Sequence, residues 1–155
     1  MIKISKLADY ALHIVQVLMT APHCLSASKC AEKTKISVST VSKVLKILTD
    51  AGIVISEQGA KGGYQLSRSP QMISLAQLVT AVDGPLALTE CSKSTYDCPQ
   101  DQVCGYQRNW QTISQIIFNV LDQVSLKDMA NTLSTEKVQI LQFVRKDKIK
   151  IKSES

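Results

Sequence analysis

Apolar residues recur at helical spacing through most of the first half of the chain. Leu7, Ala11, Ile14, Val15 and Leu18 share one face between Ser5, which can cap a helix, and Pro22, which stops one, so residues 5–20 are expected to be helical. The stretch from Ser26 to Thr34 predicts a short second helix, and Lys35-Ile36-Ser37 a turn. A third helix is expected from Val38 or Ser39 to about Ala51, turning Val41, Val44, Leu45 and Leu48 inward. Helical spacing then gives way to two short strands, Ile53–Ile55 and Tyr64–Leu66, joined by Gly59-Ala-Lys-Gly62-Gly63. Ser74 to Gly84 reads as a capped helix that packs Leu75, Leu78, Val79 and Val82 on the first part of the chain. Farther on, from about Tyr106 to Val124, the residues Trp110, Ile113, Ile117, Val120 and Val124 follow the a/d repeat of a helix-helix seam, widened by Ile116 and Leu121. Ser125 to Asp128 resembles a capping box that opens a last short helix.

These elements predict a mainly α fold with a small β wing: a winged helix-turn-helix domain plus a long dimerisation helix. The expected division is a DNA-binding domain at 1–84, a cysteine-rich loop at 85–105, the dimerisation and C-terminal helices at 106–144, and a basic flexible tail at 145–155. In a helix-turn-helix the start of the second helix meets base edges and phosphates. Here that start carries Ser37, Ser39, Thr40 and Ser42, whose hydroxyls can cap the helix or bond to phosphate or bases, with Lys43 and Lys46 adding charge. The glycines of the wing permit close approach to a sugar-phosphate backbone, and Lys61 and Arg68 supply cations there.

Charge placement agrees with that reading. Residues 1–68 hold nine Lys or Arg against four Asp or Glu, whereas residues 69–140 hold four against seven and residues 141–155 five against two. A basic first part suits double-stranded DNA. No apolar run approaches the roughly 20 residues of a membrane span, and the expected location is the cytoplasm. Of the five cysteines, Cys91, Cys98 and Cys104 lie close together with spacing C-x6-C-x5-C. Structural zinc usually uses paired chelates such as C-x2-C, while an iron-sulfur cluster accepts wider spacing, so the motif leaves a cluster, another metal and bare redox thiols open. Cys30 falls on an inward helix face and reads as packing, and Cys24 has no evident partner. Asp9 and His13 are four residues apart on another face of the first helix, and both are metal-ligating residue types.

Taken together, Ile4 to Ala11, Ile36-Ser-Val-Ser39, Gly59 to Tyr64, Val79 to Pro85 and the three cysteines resemble the winged-helix iron-sulfur regulators typified by IscR and NsrR, with the regulators of the SUF assembly operon as the nearest subgroup. The resemblance covers about residues 1–130. It implies a homodimeric repressor that binds a DNA operator under control of an iron-sulfur cluster, [2Fe-2S] or [4Fe-4S], with Cys91, Cys98 and Cys104 as ligands. Gln107 stands where IscR-like members carry a histidine, and the resemblance then directs the search for the fourth ligand to Asp9, next to His13, and last to Gln107. Gln58 stands where those members carry an arginine aimed at the minor groove.

The main rival is a thiol-redox or zinc-dependent repressor on the same scaffold. A redox adaptor or enzyme would need an activating base beside a cysteine. The only histidines are His13 and His23, and no Ser-His-Asp, HExxH or P-loop pattern occurs. A third reading is a protein-binding adaptor built on a winged helix.

Overall fold

The structure, a computed structural model, describes residues 4–59, 62–92, 105–131 and 133. Six helices are found among them: α1 Lys6–Thr20, α2 Ala27–Thr34, α3 Val38–Asp50, α4 Leu75–Asp83, α5 Gln107–Asp122 and α6 Leu126–Met129. Two strands, β1 Val54–Glu57 and β2 Gly63–Leu66, pair antiparallel between α3 and α4.

Serines start most of these helices. Ser5, Ser26, Ser37, Ser74 and Ser125 each precede a helix and accept a hydrogen bond from a backbone N–H of its first turn. That bond satisfies a donor which has no partner within the helix. At Ser74 and Ser125 the third residue returns the bond, completing the capping box.

One core joins the elements. Ile14 and Val15 of α1, Val41, Val44, Leu45 and Leu48 of α3, Val54 of β1, and Leu75, Leu78 and Val79 of α4 pack together with Cys30 and Leu126. Burial of each large aliphatic side chain contributes about 1.5–3 kcal/mol relative to leaving it in water. The strand ladder begins one residue later than the pattern of Ile53–Ile55 implies and runs on to Glu57. Ile53 is spent on closing α3, its N–H donating to the Leu48 carbonyl at 2.9 Å.

The wing is anchored at its far strand. Leu25, between α1 and α2, exchanges both backbone hydrogen bonds with Tyr64, at 3.0 and 2.8 Å. Gly63 lies so close to Leu25 that a Cβ there would stand 2.6 Å from the Leu25 carbonyl carbon.

The seam expected along α5 divides in two. Leu121 and Val124 pack on the chain's own core, and Ser114 is buried, while Trp110, Ile113 and Ile116 stay about two-fifths exposed. The cause lies in α4: Ser74 donates to Asp122 at 2.6 Å, and the Leu75 N–H donates to the Val124 carbonyl at 2.7 Å, drawing the end of α5 inward. No helix among the described residues is long and apolar enough to cross a membrane.

Candidate functional site

The exposed face of α3 is built by elimination. With Val41, Val44, Leu45 and Leu48 in the core, Ser39, Ser42, Lys43 and Lys46 are turned to solvent. Lys35 takes a left-handed conformation, φ 59°, which breaks α2 and lets α3 leave in a new direction. Ser37 then caps α3 and gathers the neighbouring hydroxyls: its Oγ donates to Thr40 Oγ1 at 2.8 Å and lies 3.2 Å from Ser39 Oγ. A cleft of about 390 Å³, lined by Tyr10, His13, Lys35, Ser37 and Thr40, separates this helix start from α1.

The cations on this side differ in their commitments. Lys46 forms an exposed ion pair with Asp50 at 3.1 Å. Arg68 follows β2 and turns toward α4, donating from Nε to the Met72 carbonyl at 3.2 Å and from Nη2 to Gln77 Oε1 at 3.0 Å. Gln58 is exposed just after β1, and Lys61 lies outside the described residues. Sequence reasoning missed Val38, an apolar residue 49% exposed between Ser37 and Ser39. Its signal was available, since it falls outside the inward stripe of α3.

Helix α1 presents Asp9 and His13 together. Both are well exposed, and the His13 Nε2 lies 3.8 Å from the Asp9 Oδ2. They border two clefts: the one beside α3, reached by His13, and another of about 190 Å³ against Leu126, Met129 and Ala130.

The cysteines separate by environment. Cys30 is fully buried, and its thiol is pushed up from 9.0, mainly by desolvation, with Lys33 opposing. Cys24 is half-buried; desolvation, then hydrogen bonding to Glu57 and repulsion from that carboxylate, hold its thiol above the ordinary value. Cys91 belongs to a 3-10 turn, Glu90–Ser92, packed against α5, and the Leu88 N–H just before it donates to Ser114 Oγ at 3.2 Å. Cys98 and Cys104 lie outside the described residues. Gln107 opens α5 and is half-buried.

A helical hairpin with a polar, basic outer face, followed at once by a two-stranded wing, defines a winged-helix DNA-binding transcription regulator. The family described as Rrf2, iron-dependent transcriptional regulator, matches residues 4–132, and the chain belongs to that family. Its members are regulators of transcription, not enzymes. The chain is 27% identical to the transcriptional regulator NsrR of Shouchella clausii over 82% of its own length and 87% of that protein. It is also 27% identical to the transcriptional regulator IscR of Vibrio cholerae, over 81% and 69%. Among solved structures it is similar to CymR, the global cysteine regulator of B. subtilis, with a TM-score of 0.64 and 26% identity over 84% of this chain and 97% of that one.

Among the described residues, no group of three or more His, Cys, Asp or Glu side chains is placed to hold a metal ion. Cys30 lies in the core and Cys24 between α1 and α2, so the thiols outside the winged helix are those of the loop, and α1 carries an oxygen and a nitrogen donor, Asp9 and His13, on an exposed face.

Proposed function

We propose that the chain is a cytoplasmic, homodimeric repressor whose affinity for a double-stranded operator is set by an iron-sulfur cluster, [2Fe-2S] or [4Fe-4S], and that it governs iron-sulfur assembly genes. Cys91, Cys98 and Cys104 hold the cluster, and α1 of the second copy completes the ligand set through Asp9, or through His13 one turn along. The observation that carries this reading is the exposed, adjacent pair of Asp9 and His13 in a chain whose Cys30 is spent on the core. When bound, the cluster supplies a charged, oxidisable crosslink between ligands.

The rest belongs to the protein. Ser37, Ser39, Thr40, Ser42, Lys43 and Lys46 face the major groove, with the Val38 side chain suited to a thymine methyl. Gln58 and Lys61 serve the wing, and Arg68 keeps part of its guanidinium for phosphate while bracing α4. Two such modules must lie about 34 Å apart to meet successive half-sites, so a link that sets their relative angle also sets affinity.

Anaerobic purification followed by iron and sulfide counting tests the proposal. A coloured protein with acid-labile sulfide is expected, and Cys98→Ala should lose both colour and cluster-dependent operator binding. A colourless anaerobic preparation with stoichiometric zinc would overturn it. A thiol-switched repressor is the second reading, favoured by the likeness to the global cysteine regulator; it predicts iron-free protein whose DNA affinity changes with reductant.

A further inference from the structure

Helix α4 is pinned at both ends to the parts of the molecule that a regulator has to connect. At its start, Ser74 donates to Asp122 of α5 at 2.6 Å, and the Leu126 N–H donates to the Ile73 carbonyl at 2.9 Å. At its end, Asp83 takes hold of the start of α1. The Ser5 N–H donates to Asp83 Oδ2 at 3.1 Å, and the Ser5 hydroxyl donates to Asp83 Oδ1. Between these ends Leu75, Ala76, Leu78 and Val79 are buried, so α4 is seated in the core as a short rod, roughly 14 Å long at 1.5 Å per residue.

The position of Asp83 gives the contact its meaning. Gly84 follows it with φ 82°, then Pro85, and the chain reaches the Cys91 turn after Leu88 has been fastened to Ser114. On the other side, Ser5 caps α1 through the Ala8 N–H, and its carbonyl accepts the Asp9 N–H at 3.1 Å. One carboxylate therefore holds the first turn of α1, the turn that ends in Asp9, against the root of the cysteine loop. A carboxylate is favoured there for a second reason, because the unpaired N–H groups of a helix start carry positive charge.

We infer that Asp83 is a positioning residue, the clasp through which a change at the cysteine loop reaches α1 and so the DNA-binding module. This rests on the cluster-controlled reading above. The clasp spans 78 residues of sequence and needs no contact with cluster or DNA. Its removal should separate two properties that the wild type couples, cluster loading and DNA affinity.

The test uses full-length dimer, anaerobically reconstituted or stripped of iron, and a duplex selected by the wild-type protein from random-sequence DNA. For Asp83→Ala, iron per chain should match wild type while the ratio of affinities between loaded and stripped forms falls at least about fivefold toward one. Asp83→Asn, which keeps a carbonyl acceptor for Ser5, should restore much of that ratio. In the stripped protein, the amides of Ser5, Ala8 and Asp9 should exchange faster in Asp83→Ala than in wild type. An unchanged ratio at full iron loading would overturn the inference, as would lost iron binding or unchanged exchange at those amides. A wild-type protein that binds iron but shows a ratio of one would instead overturn the cluster-controlled reading, and the inference with it.

Discussion

The Ser74 hydroxyl serves two helices at once, accepting the Gln77 N–H to cap α4 and donating to Asp122 Oδ1 of α5 at 2.6 Å. Ser74 is only 9% exposed while Asp122 is exposed, so loss of the hydroxyl chiefly strands a helix donor and frees the carboxylate to water. Ser74→Ala should lower stability by about 1–2 kcal/mol, read from urea unfolding at fixed protein concentration. Asp122→Asn keeps an acceptor and should cost less. Equal stability of Ser74→Ala and wild type would remove this contact from the account of the fold.

The wing offers a comparison between glycines. Gly63, at φ 151°, has no room for a Cβ against Leu25, whereas Gly52, at φ 68°, has open space around it. Gly52→Ala meets only the left-handed backbone cost of about 1–2 kcal/mol. Gly63→Ala adds a clash with backbone and should also loosen the Leu25–Tyr64 pairing. Amide exchange at Leu25 and Tyr64 should accelerate in Gly63→Ala and stay near wild type in Gly52→Ala.

Most helix starts were legible because they have a local cause, a capping serine; α5 has none. Ser5, Ser37, Ser74 and Ser125 announced caps, and the inward stripes of α1, α3 and α4 follow directly from spacing. What the sequence concealed is nonlocal. Ser5 and Asp83, Leu25 and Tyr64, and Arg68 and Gln77 meet only after the core has formed, and no periodicity records such meetings. The α5 stripe was visible, but its division between the chain's own core and solvent depends on where α4 draws it. Of the cysteine loop, motif spacing indicated metal or redox chemistry; the burial of Cys30 was legible from its inward helix face, whereas the half-buried setting of Cys24 became evident only from the fold.

Those surroundings lead to a prediction about thiol chemistry. Thiolate is the form that reacts, and the thiols of both Cys24 and Cys30 are held above the ordinary value. In reduced, cluster-free protein near neutral pH, iodoacetamide should therefore label Cys24 and Cys30 last, as mass spectrometry of timed digests would report. For Cys30 the sign of the pH effect follows. Its folded-state value is raised, so its contribution to stability is whole below 9.0 and is lost as pH rises through the raised value. Cys30→Ala should show a shallower alkaline decline in melting temperature than wild type. Rapid labelling of Cys30 in folded protein would contradict its burial.

Two lysines on one exposed helix face should behave differently toward DNA. Lys43 has no ion-pair partner among the described residues, while Lys46 is already paired with Asp50 at 3.1 Å. Lys43→Ala should weaken operator binding and reduce the slope of log affinity against log salt by about 1. Lys46→Ala should change both less, and Asp50→Asn should strengthen binding by releasing Lys46. Titrations of fluorescent duplex at several salt concentrations give all three slopes, and equal losses for the two lysines would show that the Asp50 pair is irrelevant to the bound state.

Trp110, Ile113 and Ile116 form an apolar stripe on α5, 38–41% exposed, beside a face already occupied by the chain's own core. An apolar stripe of this kind at a seam spacing is a surface suited to a second copy. Ile113→Asp places a charge in its middle without touching the core, so the monomer should keep its fold while self-association weakens. Sedimentation equilibrium should show wild type as a dimer and Ile113→Asp displaced toward monomer, with helical circular dichroism retained. Operator affinity should fall with it, because a monomer meets one half-site instead of two. An Ile113→Asp protein that still sediments as a dimer at low concentration would move the interface off this face of α5.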